Sequence, residues 1–437
     1  MEEPANGLVL WFPGRPRRVS IHSCLSSRSY FWHHGAEIIY VLNFCRRNDD
    51  LCRIVERDKE RSLSKLQNFT LYMRVLVTGG SGFVGSHVVS TLLSRDYSSL
   101  EVFTFQRHAP KDDNSSQLAR NETTLLGNIE SIADVQKAMT LANPDLVINL
   151  AGVYAWWQPE DDRFDRVNVL GVQNLIAVCI SSSDAGSDEE KESKRKTPKL
   201  VQVSTVLAFG NPALPSQSGL TPETAFDEDT APGETASRYA SSKHQGDLIV
   251  QKAFDSGKLD GCTLFLACCI GKDPKLLDPQ RDVMKIQALC RGQVPAVIAG
   301  ETTFTYVYVK DAAEAIVRAG EKLLGNHPSN ITGQRFLIGN QRLKTDEYYD
   351  LIAQLSGTPK PRFQVPAWLA LWVGQLSAIW SSWISKANPT APADLVRTAT
   401  RGTLLFRADK SVQELGMEYT NIKIAFREAV DFVMQEH

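Results

Sequence analysis

The chain has 437 residues, a net charge of -2, 43% apolar residues and 22% charged residues. Its length exceeds what one compact core usually holds, and its composition is that of an ordinary globular protein rather than a disordered or fibrous one. The small net charge excludes the global basic field that attracts nucleic acid, so we predict no nucleic-acid partner.

Residues 1–72 show no strand-like or helix-like periodicity of useful length. Their acidic residues, among them Glu2, Glu3 and Glu37, are unusual in a transit peptide. Met73 then stands directly before the first predicted strand. We therefore predict that residues 1–72 are a disordered extension or follow from a mis-assigned start, with a targeting leader as the alternative.

From Met73 onward, short apolar runs alternate with amphipathic stretches. We predict strands at 73–78, 101–106, 123–126, 145–150, 200–206 and 262–269, and helices at 82–94, 131–141, 165–180 and 238–255. Strands that alternate with helices imply right-handed crossovers and a parallel sheet covered on both faces. The predicted fold class is α/β, with a Rossmann-type doubly wound parallel sheet over residues 73–270.

Residues 181–199 interrupt this pattern, because they are rich in Ser, Asp, Glu and Lys and cannot bury enough apolar surface to fold. We predict a disordered insertion at the end of the sheet opposite the ligand. After residue 270 the alternation loosens, and we predict helices near 280–292, 311–324, 345–357, 367–385 and 422–434. Residues 271–437 are thus predicted to form a smaller, mostly helical, substrate-binding lobe.

The glycine-rich turn after the first strand reads Thr78-Gly79-Gly80-Ser81-Gly82-Phe83-Val84-Gly85. It follows an apolar strand and opens a helix, which is the context of a dinucleotide-binding turn. Gly79 permits the tight turn, Gly82 admits the pyrophosphate, and Gly85 lets the helix pack close to the strand. The phosphates would face the helix N-terminus. We predict that Gly79, Ser81, Gly82, Phe83, Val84 and Gly85 bind NAD(P).

The second strand ends at Gln106-Arg107, without the acidic residue that holds the ribose 2′-hydroxyl in NAD-preferring proteins. The planar guanidinium of Arg107 could instead pair with a 2′-phosphate. This end of the strand favours NADP(H) over NAD(H) as the cofactor. The alternative is an arginine that is merely solvated.

Tyr239 and Lys243 lie four residues apart at the start of a predicted helix, and so on one helical face. A nearby ammonium favours the phenolate, so we expect Lys243 to lower the pKa of Tyr239. Tyr239 could then exchange a proton with a substrate oxygen while hydride moves to or from the cofactor. Thr205, at the end of an apolar strand, could orient that oxygen. The alternatives are a surface Tyr–Lys pair and a simple strand cap.

Several motifs in this order resemble the extended short-chain dehydrogenase/reductase superfamily, the NAD-dependent epimerase/dehydratase group that includes relatives of 3β-hydroxysteroid dehydrogenase and dihydroflavonol reductase. Besides the motifs above, the resemblance rests on Asn168–Leu175, Val307–Ala315 and Glu414-Leu415-Gly416, and it covers residues 73 to about 435. It implies that Thr205, Tyr239 and Lys243 form the catalytic set and that Lys243 also contacts the nicotinamide ribose.

The sequence also departs from the pattern of this superfamily at some positions. Gly127-Asn128 replaces a common Gly-Asp beside the adenine, and Asn149-Leu150-Ala151-Gly152 stands where many members have a His and two alanines. Asn128 and Ala151 are still expected to contact the cofactor. The Arg107 position is similar to the arginine that dihydroflavonol-type reductases use for NADP.

Together these residues predict an NADP(H)-dependent oxidoreductase that interconverts a secondary alcohol and a ketone on a small, hydrophobic, sterol-like or secondary-metabolite-like molecule. A nucleotide-sugar epimerase or dehydratase with tightly bound NAD is the alternative, and a non-catalytic NADP-binding regulator is a third. The eight cysteines show no Cys-x-x-Cys spacing, so we predict a reducing compartment and no metal site.

Residues 367–385 contain no charge and four tryptophans, Trp368, Trp372, Trp380 and Trp383. One interpretation is a helix that packs on the lobe or lines the substrate pocket. The other is a peripheral membrane contact, because Trp favours the interface, whereas several serines argue against a spanning helix. We predict a cytoplasmic protein, peripheral on the endoplasmic reticulum membrane in the second interpretation. A homodimer is compatible with the sequence, which does not decide the oligomeric state.

Overall fold

The computed structural model describes residues 7–12, 15–20, 33–34, 37–38, 72–97, 99–109, 122–160, 162–184, 197–210, 225–278, 282, 284–298, 302–325, 331–380, 392–400 and 405–435. The chain divides into two compact units, Met1–Phe69 and Thr70–His437. Residues 185–196 of the predicted insertion and residues 381–385 of the tryptophan-rich segment lie outside the described residues.

Among the residues of the first unit that the structure describes, there are two antiparallel strand pairs. β1 (Gly7–Phe12) pairs with β2 (Arg15–Ser20), and β3 (His33–His34) pairs with β4 (Glu37–Ile38). These strands differ from the disordered extension that we predict for residues 1–72.

In the second unit, a seven-stranded sheet has the order β14-β10-β9-β8-β5-β6-β7, and all its neighbouring strands are parallel. Its strands are β5 (Tyr72–Thr78), β6 (Ser99–Gln106), β7 (Glu122–Leu126), β8 (Leu146–Asn149), β9 (Lys199–Thr205), β10 (Gly261–Leu266) and β14 (Arg335–Ile338). The strand order reverses between β5 and β8. The ligand crevice of such a sheet lies beyond the carboxyl ends of these strands.

In chain order the helices are α1 (Phe83–Ser94), α2 (Ile132–Ala142), α3 (Gly171–Asp184), α4 (Arg238–Asp255), α5 (Ile286–Cys290), α6 (Val309–Leu324), α7 (Thr345–Ser356), α8 (Ala367–Trp380), α9 (Ala393–Thr400), α10 (Asp409–Leu415) and α11 (Ile422–Gln435). A short α-helical segment, Arg163–Asp165, and a π-helical turn, Arg166–Leu170, precede α3. Of the helices that the structure describes, none is both long and apolar enough to cross a membrane.

Apolar side chains bury both faces of the large sheet. One core contains residues of α1 and α6, and the other contains residues of α2, α3 and α4. Every residue of β8 and of β10 is buried, as expected for strands covered on both sides. The predicted Rossmann-type doubly wound α/β fold is confirmed.

The smaller lobe contains sheets as well as helices. A three-stranded sheet has the order β11 (Cys268–Ile270), β13 (Thr303–Tyr308), β15 (Gln341–Lys344), and β12 (Ala296–Ile298) pairs with β16 (Phe363–Val365). Its core lies among α5, α7 and α11. The prediction of a mostly helical lobe missed these strands, which are only three to six residues long.

The predicted domain boundary at residue 270 differs from the structure. After β13 the chain returns to the large sheet, where α6 packs against it and β14 pairs with β10. The strand predicted at 262–269 is two strands, since β10 ends at Leu266 and β11 joins the smaller sheet. A continuous apolar run does not reveal where a chain changes sheets.

The two crossings between the sheets lie side by side. The chain leaves the large sheet at Ala267 after β10 and again at Gly339 after β14. The Ala267 backbone N–H donates to the Ile338 carbonyl at 2.9 Å. A Cβ on Gly339, whose φ is +126°, would lie 2.7 Å from the Cβ of Ala267, so the close approach requires glycine there.

Candidate active site

The glycine-rich turn connects β5 to α1 at the carboxyl edge of the sheet. Gly79 has a φ of +71°, and a Cβ there would lie 2.9 Å from the carbonyl carbon of Leu150. A Cβ on Gly85 would lie 2.1 Å from the carbonyl oxygen of Gly79. Gly82 caps α1 with extended backbone. The turn is therefore a cradle closed to any side chain at Gly79 and Gly85.

The other predicted residues of the turn differ in exposure. Ser81 is exposed, whereas Phe83 and Val84 begin α1 and pack partly buried against the core of the smaller lobe. The ring of Phe83 also contacts His87 edge-on, at 5.9 Å between centroids. Phe83 and Val84 thus have a packing role that the motif did not predict.

The remaining predicted cofactor residues lie at the ends of neighbouring strands. Ala151 follows β8, Arg107 directly follows β6, and Asn128 follows β7. Together with the turn after β5, they occupy four adjacent strand ends along one edge of the sheet. Arg107 is exposed. The backbone N–H of Ala151 donates to the Thr78 hydroxyl at 3.1 Å, so the β8 loop is fastened to β5.

Tyr239 lies in the first turn of α4, where the side chain of the N-cap residue Ser237 accepts a hydrogen bond from Ala240. Its hydroxyl lies close enough to the hydroxyl of Thr205, at the end of β9, for Thr205 to lower its pKa. The structure therefore brings these two predicted residues together. Thr205 also caps the short 3₁₀ turn after β9, since its Oγ1 accepts from the Leu207 backbone at 3.3 Å.

The pKa of Tyr239 is raised, contrary to the expected lowering by Lys243. Burial is the largest cause of the increase, the nearby Thr205 hydroxyl opposes it, and the Asp247 carboxylate adds to it. Tyr239 is consequently a neutral phenol at physiological pH, with a proton to donate.

Lys243 is buried one turn after Tyr239, and its Nζ donates to the Val203 carbonyl oxygen at 2.9 Å. Burial lowers the pKa of Lys243, whereas the Asp247 carboxylate raises it. The ammonium thus lies against β9 rather than on the helix surface. This burial excludes the interpretation of Tyr239 and Lys243 as a surface pair.

Asp247 completes this helical face, and we did not predict it. It accepts a hydrogen bond from the Ser204 hydroxyl. Burial raises the pKa of Asp247 to about 6, although Lys243, Ser204 and Gln202 each lower it. The signal was available, because Asp247 follows Tyr239 and Lys243 at the same four-residue interval.

A buried polar chain links this site to the glycine-rich turn. The Thr78 hydroxyl donates to Asn149 Oδ1 at 2.6 Å, and Asn149 Nδ2 donates to Gln202 Oε1 at 2.8 Å. The three residues stand on the adjacent strands β5, β8 and β9, and each is almost completely buried. Gln202 in turn lies close to Asp247. The sequence signal for this polar chain, which our prediction did not use, was the presence of polar side chains in otherwise apolar strands.

The π-helical turn before α3 positions a further amide. Asn168 Nδ2 donates to the Ser242 hydroxyl at 2.9 Å, and Asn168 Oδ1 accepts from the Val153 backbone at 2.9 Å. Asn168 therefore fastens α4 to the loop after β8. Such π turns are frequent at functional sites, but an amphipathic helix pattern does not reveal them.

Aromatic rings form one wall beside Tyr239. The Tyr154 ring lies 4.9 Å from that of Tyr239 and 5.9 Å from that of Trp156. Tyr154 is 46% exposed, so this aromatic wall is open to solvent on one side.

Thiols and further tyrosines also lie near Tyr154. The titratable groups that act most strongly on Tyr154 are Cys268, Cys269, Tyr239 and Tyr306, all of which are neutral at pH 7. The Cys268 thiol also lies 3.4 Å from the sulfur of Met284. The neighbourhood of Tyr154 is thus aromatic and sulfur-rich. Within the described residues, no group of three His, Cys, Asp or Glu side chains is placed to hold a metal ion.

Comparison with known proteins identifies a family. The model of the NAD dependent epimerase/dehydratase family matches residues 75–338. A protein of Synechocystis sp. named "Putative dihydroflavonol 4-reductase" is 24% identical over 370 residues, which cover 83% of this chain and 94% of that protein. The UDP-glucose 4-epimerase of Mycolicibacterium smegmatis is 27% identical over 303 residues, 67% of this chain and 86% of that enzyme.

Solved structures share the fold. The crystal structure of Thermotoga maritima UDP-glucose 4-epimerase with UDP-glucose matches with a TM-score of 0.59 and 21% identity, over 83% of this chain and 99% of that one. The dTDP-glucose 4,6-dehydratase of Bacillus anthracis in complex with NAD matches with a TM-score of 0.58 and 19% identity, over 84% and 97%.

Proposed function

Because the chain belongs to the NAD dependent epimerase/dehydratase family, we propose that it is an NADP(H)-dependent oxidoreductase that interconverts a secondary alcohol and a ketone on a small hydrophobic molecule. Enzymes of this extended short-chain dehydrogenase/reductase type use NAD(P). The observation that carries the finer proposal is that Thr205 and Tyr239 lie together beside the aromatic rings of Tyr154 and Trp156.

The residues present fit a dinucleotide. A Cβ would fill the cradle at Gly79 and Gly85, and the N-terminus of α1 begins at that turn. Residues 79–85 would hold the pyrophosphate, and Arg107 would hold the 2′-phosphate. Asn128 would lie beside the adenine, and Ala151 would contact the cofactor from the loop after β8. Lys243 would contact the nicotinamide ribose. When bound, the nicotinamide supplies or accepts the hydride.

Tyr239 and Thr205 carry the proton chemistry in this proposal. A substrate carbonyl oxygen placed between their hydroxyls would accept a hydrogen bond from each. Tyr239 then donates its proton to that oxygen as the carbonyl carbon is reduced. The raised pKa of Tyr239 keeps this proton in place at neutral pH, which suits reduction of the ketone.

The surroundings of Tyr154 support an apolar substrate. Aromatic rings and thiols offer contact area but no fixed positive charge, whereas a nucleotide diphosphate needs basic partners. The epimerase or dehydratase alternative is supported instead by the names of similar proteins such as the M. smegmatis UDP-glucose 4-epimerase. The non-catalytic regulator is the least supported alternative. Thr205 and Tyr239, whose hydroxyls could bind and protonate a substrate oxygen, are both present and lie together.

One experiment separates these functions. The full chain is purified, the nucleotide released on denaturation is identified, and NADPH oxidation is followed with a panel of hydrophobic ketones. We expect a protein that binds NADPH reversibly and oxidises it with at least one ketone. Tightly retained NAD with no ketone turnover would support the epimerase or dehydratase, and NADPH binding without any turnover would support the regulator.

Arg107→Ala tests the cofactor preference. Loss of a charge-assisted hydrogen bond to a 2′-phosphate costs about 1.5–3 kcal/mol, so the Kd for NADPH should rise by about tenfold to a hundredfold while the Kd for NADH stays the same. Both constants are measured by fluorescence titration. Arg427→Ala removes another exposed arginine, on α11, and should change neither. Equal loss of NADPH and NADH affinity would contradict the assignment.

We also propose that the exposed face of α8 contacts a membrane surface, which we expect to be that of the endoplasmic reticulum. Trp368 is 64% exposed, Trp372 63% and Leu376 61%, and Phe363 on the adjoining β16 is 73% exposed. Large apolar side chains gathered in this way on one surface indicate a binding face. Arg362, which is exposed beside Phe363, suits anionic lipid headgroups.

Trp368→Ser/Trp372→Ser tests this contact by co-sedimentation with vesicles of phosphatidylcholine and phosphatidylserine. The partition coefficient should fall by at least about tenfold, because each indole transfers apolar area into the interface. Ile424→Ser/Met434→Ser removes two exposed apolar side chains of α11 and should leave it unchanged. A wild-type protein that stays off the vesicles, or a raised KM with unchanged partitioning, would favour a pocket wall instead.

A further inference from the structure

Asp247 is a buried carboxylate that the mechanism above does not use. It stands on α4 one turn after Lys243 and two turns after Tyr239, with only 8% of its surface exposed. A carboxylate in such a place is costly unless it is paired and hydrogen-bonded. Its partners therefore indicate what it does.

Strand β9 holds the carboxylate. The Ser204 hydroxyl donates to Asp247 Oδ2, and the Gln202 amide lies close enough to lower the pKa of Asp247. Both residues precede Thr205 on the same strand. The carboxylate is thus fixed to the strand that carries the substrate-orienting hydroxyl.

Lys243 needs such a partner. It is buried, and burial lowers its pKa. The Val203 carbonyl accepts a hydrogen bond from its Nζ, but a carbonyl accepts from a neutral amine as well as from an ammonium. Asp247 is the charged group that raises the pKa of Lys243.

We propose that Asp247 is a positioning residue, which keeps Lys243 protonated and drawn onto β9 beneath Tyr239. The inference rests on the proposed function, because it assigns a role within the same site. It concerns a group that lies one helical turn from Lys243 on the same buried face of α4 and acts on Lys243 through its charge, not on the substrate.

The direction of the pH effect follows from the charges around the cluster. Besides acting on Lys243, the Asp247 charge raises the pKa of Tyr239. Cys268 and Cys269 face Tyr239 from β11, Ser204 and Gln202 face Asp247 from β9, and Asn168 and Ser242 are neutral neighbours. Removal of the carboxylate charge therefore lowers the pKa of both Tyr239 and Lys243, so that both lose their protons at lower pH.

Asp247→Asn keeps the shape and removes the charge. Ketone reduction needs the Tyr239 proton and, under this inference, the Lys243 ammonium as well, so the alkaline limb of the kcat profile should move to lower pH by about one unit or more. Below about pH 6 the wild type takes up a proton on Asp247, and the two proteins should converge. An alkaline limb at the same pH in a folded variant would overturn the proposal.

A second measurement does not depend on turnover. The pKa of Asp247 is about 6 in the folded protein, above its ordinary 3.8, so ionisation of this group costs stability as the pH rises from about 4 to about 6. The unfolding free energy of the wild type minus that of Asp247→Asn should fall over this interval and then stay level. If this difference in unfolding free energy falls as expected but no ketone is reduced, the proposed function is wrong, whereas the assignment of Asp247 as a buried carboxylate is still supported.

Two further variants complete the test. Asp255→Asn removes an exposed carboxylate from the same helix and should show neither effect. Ser204→Ala removes a hydrogen bond that lowers the pKa of Asp247, so the pH-dependent change in unfolding free energy should move to higher pH. This variant replaces Asp247→Asn in the test if Asp247→Asn does not fold. If the difference in unfolding free energy from the wild type does not change with pH for either Asp247→Asn or Ser204→Ala, the inference is wrong.

Discussion

Tyr239→Phe is expected to lower kcat for ketone reduction by a factor of about 10² to 10⁴, the usual contribution of a positioned acid or base. The substitution removes the hydroxyl that lies close to that of Thr205 but keeps the ring, which packs 4.9 Å from the Tyr154 ring. The folded state and the Kd for NADPH should therefore change little. Steady-state kinetics, NADPH titration and thermal unfolding measure the three quantities.

Tyr419→Phe is the matched control. Tyr419 is a partly buried tyrosine whose hydroxyl lies 2.7 Å from that of Ser411, away from α4. Loss of this hydrogen bond should lower the free energy of unfolding by about 1 kcal/mol without changing kcat. If Tyr239→Phe retains wild-type turnover, another group protonates the substrate and the proposed mechanism is wrong.

Gly85→Ala is expected to abolish saturable NADPH binding. The new Cβ would lie 2.1 Å from the Gly79 carbonyl oxygen and 2.9 Å from the Gly80 Cα. Both atoms belong to the backbone of the turn, so no side chain can move aside and the cradle itself must open. The same overpacking should lower the free energy of unfolding by about 1–3 kcal/mol.

Gly257→Ala separates these two effects. Gly257 has a φ of +66° and no atom within 4 Å of an added Cβ, in a turn after α4. Alanine there should cost about 1–2 kcal/mol through the left-handed backbone alone and leave the Kd for NADPH unchanged. A Gly85→Ala protein with wild-type affinity would show that residues 79–85 do not form the cofactor cradle.

The sequence predicted the larger elements well where one pattern ran without interruption. α4 has the bounds that its amphipathic pattern predicts, and β5 and α1 flank the glycine-rich turn as expected. These elements carry Tyr239, Lys243 and the cradle. Local spacing therefore sufficed to place the main candidate residues on the right elements.

Features that depend on tertiary contacts could not be predicted in this way. The return of β14 to the large sheet is decided by pairing with β10, across about seventy residues of sequence. The raised pKa of Tyr239 depends on how deeply α4 is buried, and helical spacing does not report burial. Asp247, by contrast, was within reach, since its four-residue interval from Lys243 is visible in the sequence.

The paired crossings at Ala267 and Gly339 have a mechanical consequence. Two short connections that touch each other cannot both act as a free pivot, because a rotation about one strains the other. Cys268 follows the first crossing, two residues after Leu266, which is the partner of Thr205 in the large sheet. We therefore expect the distance between Cys268 and Thr205 to vary little. A substrate would then contact a rigid binding surface. We expect selection among substrates to depend on shape complementarity with that surface rather than on closure of one lobe over the other.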